Sequence, residues 1–201
     1  MIIYRGAEAI IEKIDENTIV KKRIEKKYRL REIDEKLRKE RTKKEVKFLR
    51  EVRRLGINVP KVLEVSDFEF KMEYINGKKL KDVLNKENFK FFAEEIGKIV
   101  ASLHLHNIVH NDLTLSNMIF YENKIYLIDF GLANYSVSIE NKAEDILTLY
   151  YSIKSLFPEI YEEFFRVFKD IYKMLYPNGN NVIERMKEIL KRGRYSIRDN
   201  G

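Results

Sequence analysis

Three side chains that can bind a metal or accept a proton lie close together in the middle of the chain: Asp112, Asn117 and Asp129. Asp112 and Asn117 belong to the run His-Asn-Asp-Leu-Thr-Leu-Ser-Asn, and Asp129 begins an Asp-Phe-Gly triplet. Such oxygen ligands suit Mg²⁺, which takes one or two protein groups together with phosphate and water oxygens. The pattern predicts a magnesium-nucleotide site in which Asn117 and Asp129 hold the metal. Asp112 would orient or deprotonate an attacking hydroxyl or water.

These residues flank a predicted β-hairpin with strands over 118–121 and 124–128. Antiparallel strands bring their outer ends together, so Asn117 and Asp129 are expected side by side at the open end of the hairpin. Asp112 would lie on the loop that leads to the same end. A single aspartate or asparagine beside a hairpin is usually only a cap or turn residue. The combined His-x-Asp-Leu-x-x-x-Asn and Asp-Phe-Gly spacing favours a functional set instead.

A carboxylate at an apolar position indicates a second part of the site. Glu45 falls on the apolar stripe of a predicted helix over 33–55, where an unpaired charge would be costly. Lys21, on the apolar face of a predicted strand over 18–24, is the best candidate for its cation, with Lys22 as the alternative. A Lys-Glu pair positions the ATP phosphates in kinases. The same pair could also be a plain salt bridge between sheet and helix, with no nucleotide.

The elements around these motifs predict an α+β fold of two lobes. Alternating apolar residues predict strands over 2–3, 10–14, 18–24, 62–65 and 68–74. Apolar spacing of three or four residues predicts helices over 33–55, 80–84, 89–105, 143–157, 159–175 and 182–192. The first lobe, residues 1–73, would hold an ATP-binding sheet and the long basic helix. The second lobe, residues 74–201, would hold the catalytic loop, the metal-binding hairpin, further helices and a basic tail.

Composition narrows the chemistry further. Because the chain has no cysteine, it cannot form disulfides, thiolate nucleophiles or cysteine zinc sites. His104, His106 and His110 lie within seven residues, but no fourth ligand is suggested, so zinc is disfavoured. His110 is expected instead to brace the loop that carries Asp112. The chain has no apolar stretch of 18 residues and no secretory signal at its start, which predicts a cytoplasmic protein with no membrane role.

The positive charge is unevenly distributed. Residues 21–54 hold 17 Lys or Arg against 7 Asp or Glu, whereas the formal net charge of the whole chain is +7. This segment is either a solvated helix with many paired charges or a footprint for RNA or another polyanion. A second basic cluster closes the chain and makes Lys191, Arg192 and Arg194 candidates for RNA binding. The alternative for that cluster is a frayed terminus.

Over nearly its full length the chain resembles the protein-kinase superfamily, which implies a minimal bilobal kinase-like fold that binds ATP and Mg²⁺. Met72-Glu73-Tyr74-Ile75 resembles the gatekeeper and hinge. The resemblance implies that backbone groups of Glu73 and Ile75 bond adenine beside Met72. Asp145 resembles the buried aspartate that holds the catalytic loop in place.

More narrowly, the chain resembles the small atypical kinase subunit of the KEOPS complex. The segments that carry this resemblance are Arg5-Gly6-Ala7-Glu8-Ala9, Lys21-Lys22-Arg23 with Tyr28-Arg29, Arg41-Thr42 ahead of Glu45, His110 to Met118, and Arg192-Gly193-Arg194. The resemblance implies a serine/threonine kinase or ATPase that autophosphorylates. It also implies a partnership with the threonylcarbamoyltransferase subunit and other KEOPS subunits, and a role in forming threonylcarbamoyladenosine on tRNA.

The chain departs from ordinary kinases at three places. Gly6, Glu8 and Ala9 stand where a glycine-rich loop is usual, so they are the candidates for contact with the nucleotide phosphates. Asn111 replaces the arginine that docks an activation-loop phosphate. Only 13 residues separate Gly131 from Asp145, and they contain no Ala-Pro-Glu segment. These departures favour water, the chain itself or a docked partner as the phosphoryl acceptor.

Three alternatives remain open at the level of sequence. Small-molecule phosphotransferases share the His-x-Asp pattern, although they usually have a larger helical insertion. Kinases of the RIO type share the missing Ala-Pro-Glu segment. A catalytically weak, tRNA-binding scaffold would explain the basic segments, but not the joint presence of the five residues that carry the chemistry: Lys21, Glu45, Asp112, Asn117 and Asp129.

Overall fold

The computed structural model describes residues 1–198, and side chains through residue 192. Contacts divide the chain into two compact units. The first unit comprises Met1–Lys79 and Met118–Ala133, and the second comprises Leu80–Asn117 and the chain from Asn134 onward. The predicted lobes divide the chain in sequence order, whereas these units follow spatial contacts, so the hairpin lies with the first unit.

The elements alternate between short strands and longer helices. The strands are β1 (Ile2–Arg5), β2 (Ala9–Lys13), β3 (Thr18–Arg23), β4 (Val62–Val65), β5 (Glu69–Glu73), β6 (Lys78–Lys79), β7 (Ile108–Val109), β8 (Met118–Tyr121), β9 (Lys124–Leu127) and β10 (Asn134–Tyr135). The helices are α1 (Arg31–Arg54), α2 (Phe89–Leu105), α3 (Ile139–Leu156), α4 (Tyr161–Leu175) and α5 (Gly179–Arg198). Two 3₁₀ turns cover Leu80–Asp82 and Leu115–Asn117. The predicted α+β fold is confirmed. The two-residue strands β6, β7 and β10 were not predicted, because they are too short to show a period.

The first unit is a five-stranded antiparallel sheet with one helix. The strand order is β1-β2-β3-β5-β4, so β3 lies in the centre. Helix α1 packs on β4 and β5 through apolar side chains that include Val46, Leu49 and Val52, each 5% exposed or less. Burial of a side chain of this size contributes roughly 1.5–3 kcal/mol to stability. Gly56 adopts φ +81° just after the helix, the left-handed conformation that ends helices most readily with glycine.

The hairpin of the first unit forms a second, three-stranded sheet in the order β6-β8-β9. Its turn residues Glu122 and Asn123 both have positive φ, 47° and 57°, which matches the twist of a two-residue hairpin loop. Met118 pairs with Leu127 at the end of the hairpin remote from this turn. The hairpin was predicted from its sequence, with β9 ending one residue earlier than expected.

The second unit consists of helices around a small two-stranded sheet, β7 with β10. Helix α2 packs on α4, and α3 packs on α5. Helix α3 begins four residues before the predicted start, because Ser138 Oγ accepts a hydrogen bond from the Asn141 N–H and caps it. Helix α5 is longer than the predicted 182–192 at both ends. None of the helices described is long and apolar enough to cross a membrane.

Candidate active site

Lys21 lies on the central strand β3 and makes two ion pairs within the first unit. Its Nζ is 2.7 Å from Glu45 Oε1 on helix α1 and 2.8 Å from Asp129 Oδ1 after β9. The Lys21 and Glu45 side chains are 5% and 1% exposed. In this setting an ion pair is screened little by solvent, and neither charge could be left alone without a large penalty.

Strand alternation explains why Lys21, rather than its neighbour, meets the helix. Successive side chains of a strand point to opposite faces. Lys22 therefore lies on the other face of β3, where its Nζ is 2.9 Å from Glu12 and its side chain is 41% exposed. The pairing of Lys21 with Glu45 agrees with the choice made from sequence.

Asp129 is ionised and turned toward Lys21. Its backbone has φ +63°, a conformation that aspartate and asparagine tolerate better than most residues. Burial raises the pKa of Asp129, but the charge and hydrogen bond of Lys21, the charge of Arg23 and the Gly131 N–H together hold it below its ordinary value. Oδ1 accepts from Lys21 and, at 3.4 Å, from Gly131 N–H. Oδ2 accepts no hydrogen bond from the residues that the structure describes.

Arg23 joins this cluster, although the sequence analysis gave it no role. Its Nη2 donates to Glu45 Oε2, so each oxygen of Glu45 has a separate cation. The signal was present in the sequence: Arg23 stands two residues after Lys21 on one strand and therefore on the same face.

The loop between β1 and β2 replaces a glycine-rich loop and is tied down by cations. Gly6 N–H donates to Ala9 O at 2.9 Å, which closes a tight turn. The Glu8 carboxylate accepts from Arg41 on α1, and Lys26 Nζ donates to the carbonyl of Ala7. The Glu8 side chain thus points toward basic groups of its own unit in this structure.

The predicted hinge follows β5 in the first unit. Met72 and Ile75 are 7% and 5% exposed. Glu73 N–H donates to Lys61 O at 2.9 Å, and Tyr74 N–H donates to Asn17 O at 2.7 Å. Within the part of the chain that the structure describes, the Ile75 N–H has no backbone acceptor.

Asp112 and Asn117 lie together in the second unit. Asn117 Nδ2 donates to the backbone carbonyl of Asp112 at 2.9 Å and to its Oδ2 at 2.8 Å. The amide nitrogen is thus turned toward Asp112, and neither of these two bonds uses the Asn117 Oδ1. Thr114 N–H donates to the same Asp112 carbonyl at 2.9 Å, so the loop is compact around the aspartate.

Asp145 on α3 holds the start of this loop through its backbone. Asp145 Oδ2 accepts from His110 N–H and Oδ1 from Asn111 N–H, both at 2.8 Å. Asn111 has φ +60°, which this double contact helps to maintain. His110 is fully buried, and its Nδ1 accepts from Asp112 N–H at 3.3 Å. These contacts match the bracing expected of His110 and Asp145.

His104 and Tyr172 extend this network, and the sequence analysis missed both roles. His104 Nε2 is 3.3 Å from Asp145 Oδ2, and Nδ1 is 2.7 Å from the Tyr172 hydroxyl. Residues 68 apart in the chain carry no sequence signal of such a contact.

The remaining predicted residues fall outside these two clusters. Among the described side chains, those of residues 1–192, there is no group of three or more His, Asp or Glu that could hold a metal ion. His106 instead contacts the Ser102 carbonyl at 2.8 Å. Lys191 and Arg192 are exposed on α5. Arg194 lies in the same helix, and its side chain is outside the described residues.

Comparison with known proteins identifies the family. A model of the RIO domain matches residues 3–149, which is most of the chain. The chain belongs to the RIO-domain family. One relative, the "Probable serine/threonine-protein kinase BUD32 homolog" of Archaeoglobus fulgidus, is 40% identical over 195 residues, covering 97% of this chain and 96% of that protein.

A second relative is a longer protein. The "Probable bifunctional tRNA threonylcarbamoyladenosine biosynthesis protein" of Methanosarcina barkeri is 36% identical over 199 residues, which cover 97% of this chain. The chain spans only 36% of the length of that relative. The similarity therefore concerns one part of the bifunctional protein.

A solved structure supports the fold independently. The Rio2 kinase of Chaetomium thermophilum, in a complex with ADP/Mg²⁺-phosphoaspartate, superposes with a TM-score of 0.67. The alignment covers 96% of this chain and 70% of that one at 13% sequence identity. The RIO-domain chain thus has a protein-kinase-like fold, as its sequence motifs predicted.

Proposed function

We propose that this RIO-domain protein is an ATP-dependent phosphotransferase or ATPase that uses Mg²⁺. The observation that carries the proposal is that the buried Lys21 bonds both the buried Glu45 and the partly exposed Asp129. In kinases a strand lysine that pairs with a helix glutamate contacts the ATP phosphates, and the aspartate of the Asp-Phe-Gly triplet binds Mg²⁺. Lys21 would bond the phosphates, and Glu45 would hold the lysine in place.

The donor set fits Mg²⁺. Asp129 presents Oδ2, and Asn117 presents Oδ1 because its amide nitrogen is bonded to Asp112. These are hard oxygen ligands, and Mg²⁺ accepts one or two of them beside phosphate oxygens. In the sequence, Asn117 directly precedes Met118, and Asp129 follows the hairpin partner of Met118, Leu127, by two residues. When bound, the metal would neutralise charge on the phosphates.

Asp112 would act as the group that orients or deprotonates the acceptor. Its Oδ2 accepts from Asn117, and the loop around it is fixed by contacts to Asp145 and His110. Positioning of this kind supplies much of the catalysis in phosphoryl transfer. The remaining proposed contacts are those of Gly6, Glu8 and Ala9 with phosphate, and of Met72, Glu73 and Ile75 with adenine.

We further propose a role in the formation of threonylcarbamoyladenosine on tRNA. The names of the relatives in Archaeoglobus fulgidus and Methanosarcina barkeri support it. The bifunctional relative joins a segment similar to this chain to a longer second part. By that similarity, this chain would act with a threonylcarbamoyltransferase subunit and other KEOPS subunits, in the cytoplasm. Because the segment after Gly131 is short, the phosphoryl acceptor would be water, which gives ATP hydrolysis, or the chain itself, which gives autophosphorylation.

ATP turnover tests the enzymatic proposal. Purified protein is assayed with ATP and Mg²⁺ under three conditions: alone, with the presumed partner, and with tRNA added. Asp129→Ala should lower Mg²⁺-dependent hydrolysis at least about 100-fold, the scale expected for loss of a charged group from a reaction centre. The control is Asp67→Ala, an exposed aspartate of the same unit that pairs with Lys39. Equal turnover by Asp129→Ala and the wild type would contradict the site assignment.

A second candidate function is a catalytically weak tRNA-binding scaffold. The observation that favours it is the excess of basic residues over 21–54. A scaffold would bind tRNA with the same affinity in the wild type and in Asp129→Ala, and would show no ATP turnover under any of the three assay conditions. Turnover that depends on Asp129 would exclude this candidate as the whole function.

A further inference from the structure

Arg23 is a nearly buried charged side chain of the first unit that has no part in the proposed roles. Its side chain is 7% exposed, and its Nη2 donates to Glu45 Oε2. The Nε–H is buried and has no acceptor among the residues that the structure describes. Because a buried donor without an acceptor costs free energy, packing alone is a poor reason for an arginine here.

Four charged groups meet in this cluster and balance. Lys21 and Arg23 carry two positive charges, and Glu45 and Asp129 carry two negative charges. Glu45 Oε1 accepts from Lys21 at 2.7 Å, and Oε2 accepts from Arg23. Lys21 also bonds Asp129 at 2.8 Å. Among the described residues the ion pair of Arg23 is with Glu45, and its charge acts on Asp129 without a direct ion pair. Glu45 therefore shares Lys21 with Asp129, whereas the ion pair of Arg23 is with Glu45.

We infer that Arg23 is the resident counter-ion of Glu45 and thereby leaves Lys21 able to bind the phosphates of ATP. This inference rests on the proposed function. If Lys21 were the sole cation of Glu45, moving its ammonium to a phosphate would leave a buried carboxylate without a partner. With Arg23 on Oε2, Glu45 stays compensated whichever acceptor Lys21 contacts. Arg23 acts through Glu45 and Lys21, so it is a positioning residue.

The local geometry holds Arg23 in this role. Arginine keeps its charge at every relevant pH and presents a rigid, planar fork. A Cβ placed on Gly131 would be 3.2 Å from Arg23 Nη2 and 3.2 Å from Asp129 Oδ1. The guanidinium thus lies against a glycine that leaves it just enough room, beside the proposed metal ligand.

A double-mutant cycle tests whether Arg23 acts through the charge of Glu45. The variants are Arg23→Met, Glu45→Gln and the two combined, with Lys22→Met as the control on the opposite face of β3. Dissociation constants for ATP are measured by calorimetry, with KM and kcat for Mg²⁺-dependent hydrolysis and the unfolding temperature as further readouts. Arg23→Met should weaken ATP binding about tenfold or more, which corresponds to about 1.4 kcal/mol. In the Glu45→Gln background, and for Lys22→Met, the change should stay within about twofold, the scatter of independent sites.

An equal loss from Arg23→Met in both backgrounds would overturn the inference, since Arg23 would then contact the nucleotide or support only the fold. A lower unfolding temperature with unchanged ATP affinity would overturn it too. If Arg23→Met does not fold, the double variant, which removes both buried charges, is compared with Glu45→Gln. Equal affinities support the inference, and weaker binding by the double variant overturns it.

Failure of the proposed function gives a different pattern. If the wild type binds ATP but does not hydrolyse it, the enzymatic proposal fails, and the binding cycle still decides the role of Arg23. If the wild type does not bind ATP at all, both fail together.

Discussion

His104 Nδ1 lies 2.7 Å from the hydroxyl of Tyr172, and both side chains are fully buried in the second unit. Burial raises the pKa of Tyr172 above its ordinary value, so the hydroxyl keeps its proton and can donate a hydrogen bond. His104 Nε2 lies 3.3 Å from Asp145 Oδ2. We expect Tyr172 to donate to Nδ1 and so to fix the tautomer of the histidine beside the carboxylate that holds His110 and Asn111.

Replacing Tyr172 by Phe should loosen this arrangement without emptying the core. Phenylalanine fills the same space, including the stacked contact with Phe168 at 5.8 Å between ring centroids. His104 Nδ1 would lose its donor, and a buried acceptor left unsatisfied costs about 1–3 kcal/mol of stability. We expect lower kcat for ATP hydrolysis with little change in KM. Nitrogen NMR shifts of His104 should show a change from a single tautomer to a mixture.

Tyr161→Phe is the matched control, because the Tyr161 hydroxyl bonds Glu162 at an exposed position. It should leave turnover and the His104 spectrum unchanged. A Tyr172→Phe protein with lower stability but an unaltered tautomer and normal kcat would reduce Tyr172 to a packing residue.

Gly77 is a position where even one methyl group should be destabilising. A Cβ at Gly77 would lie 2.4 Å from the carbonyl oxygen of Phe120, and backbone cannot move aside as a side chain can. Gly77→Ala should therefore lower the free energy of unfolding by about 1–3 kcal/mol, the usual cost of overpacking. At Gly6 the nearest obstacle is the exposed Tyr4 ring at 2.9 Å, which can rotate away. Urea unfolding should show a much smaller loss for Gly6→Ala, and equal losses would contradict this explanation.

The parts of the site that could be predicted from the sequence are those that follow from the repeat of apolar residues along one strand or one helix. Alternation along β3 put Lys21 on the buried face, and helical spacing put Glu45 on the face of α1 that packs on the sheet. Because both residues are charged at apolar positions, their pairing follows from the cost of burying either one alone. The same reasoning applied at the next inward position of β3 would have identified Arg23.

Other features depended on contacts that no local pattern encodes. Tyr172 and His104 meet because α2 packs on α4, and helix packing leaves no mark at a single residue. The need for glycine at Gly77 arises from the approach of Phe120, 43 positions later in the chain. The start of α3 was misplaced for a local reason, since the Ser138 cap lies ahead of the apolar spacing used to predict the helix.

The ion pair of Lys21 with Asp129 should make stability depend on pH at the acid end. The pKa of Asp129 is lower in the folded protein than its ordinary value, because the opposing charges outweigh the effect of burial. Its contribution is therefore complete above the unfolded value of about 4 and is lost as pH falls through the folded pKa. The free energy of unfolding of Asp129→Asn should be less dependent on pH below about 4 than that of the wild type. Asp82→Asn, at an exposed position, is the control, and an identical acid profile for Asp129→Asn and the wild type would contradict the pairing.

The C-terminal half of α1 carries a basic stripe on its exposed face, formed by Lys43, Lys47, Arg50 and Arg54. Their spacing of four, three and four residues puts them on one side of the helix. They line a shallow groove of about 380 Å³ together with Val46, Glu51 and Val65. In the first half of the helix, Arg31 pairs with Glu35 and Arg38 pairs with Asp34. The exposed stripe is where we test the polyanion alternative.

Changing the four residues of the basic stripe to Gln should weaken tRNA binding and flatten its salt dependence. If each cation neutralises one phosphate, the slope of log affinity against log salt should become less steep by about 3. The control replaces Lys81, Lys86, Lys90 and Lys98, exposed residues that are interspersed with carboxylates, and so removes equal charge. Replacing Lys191, Arg192 and Arg194 tests the C-terminal cluster in the same assay. The residues of the basic stripe are distant from Lys21 in the sequence and exposed to solvent. The fourfold variant should therefore hydrolyse ATP without tRNA at the rate of the wild type. A salt slope equal to that of the wild type would make the stripe a solvated helix face, the other interpretation of its charge.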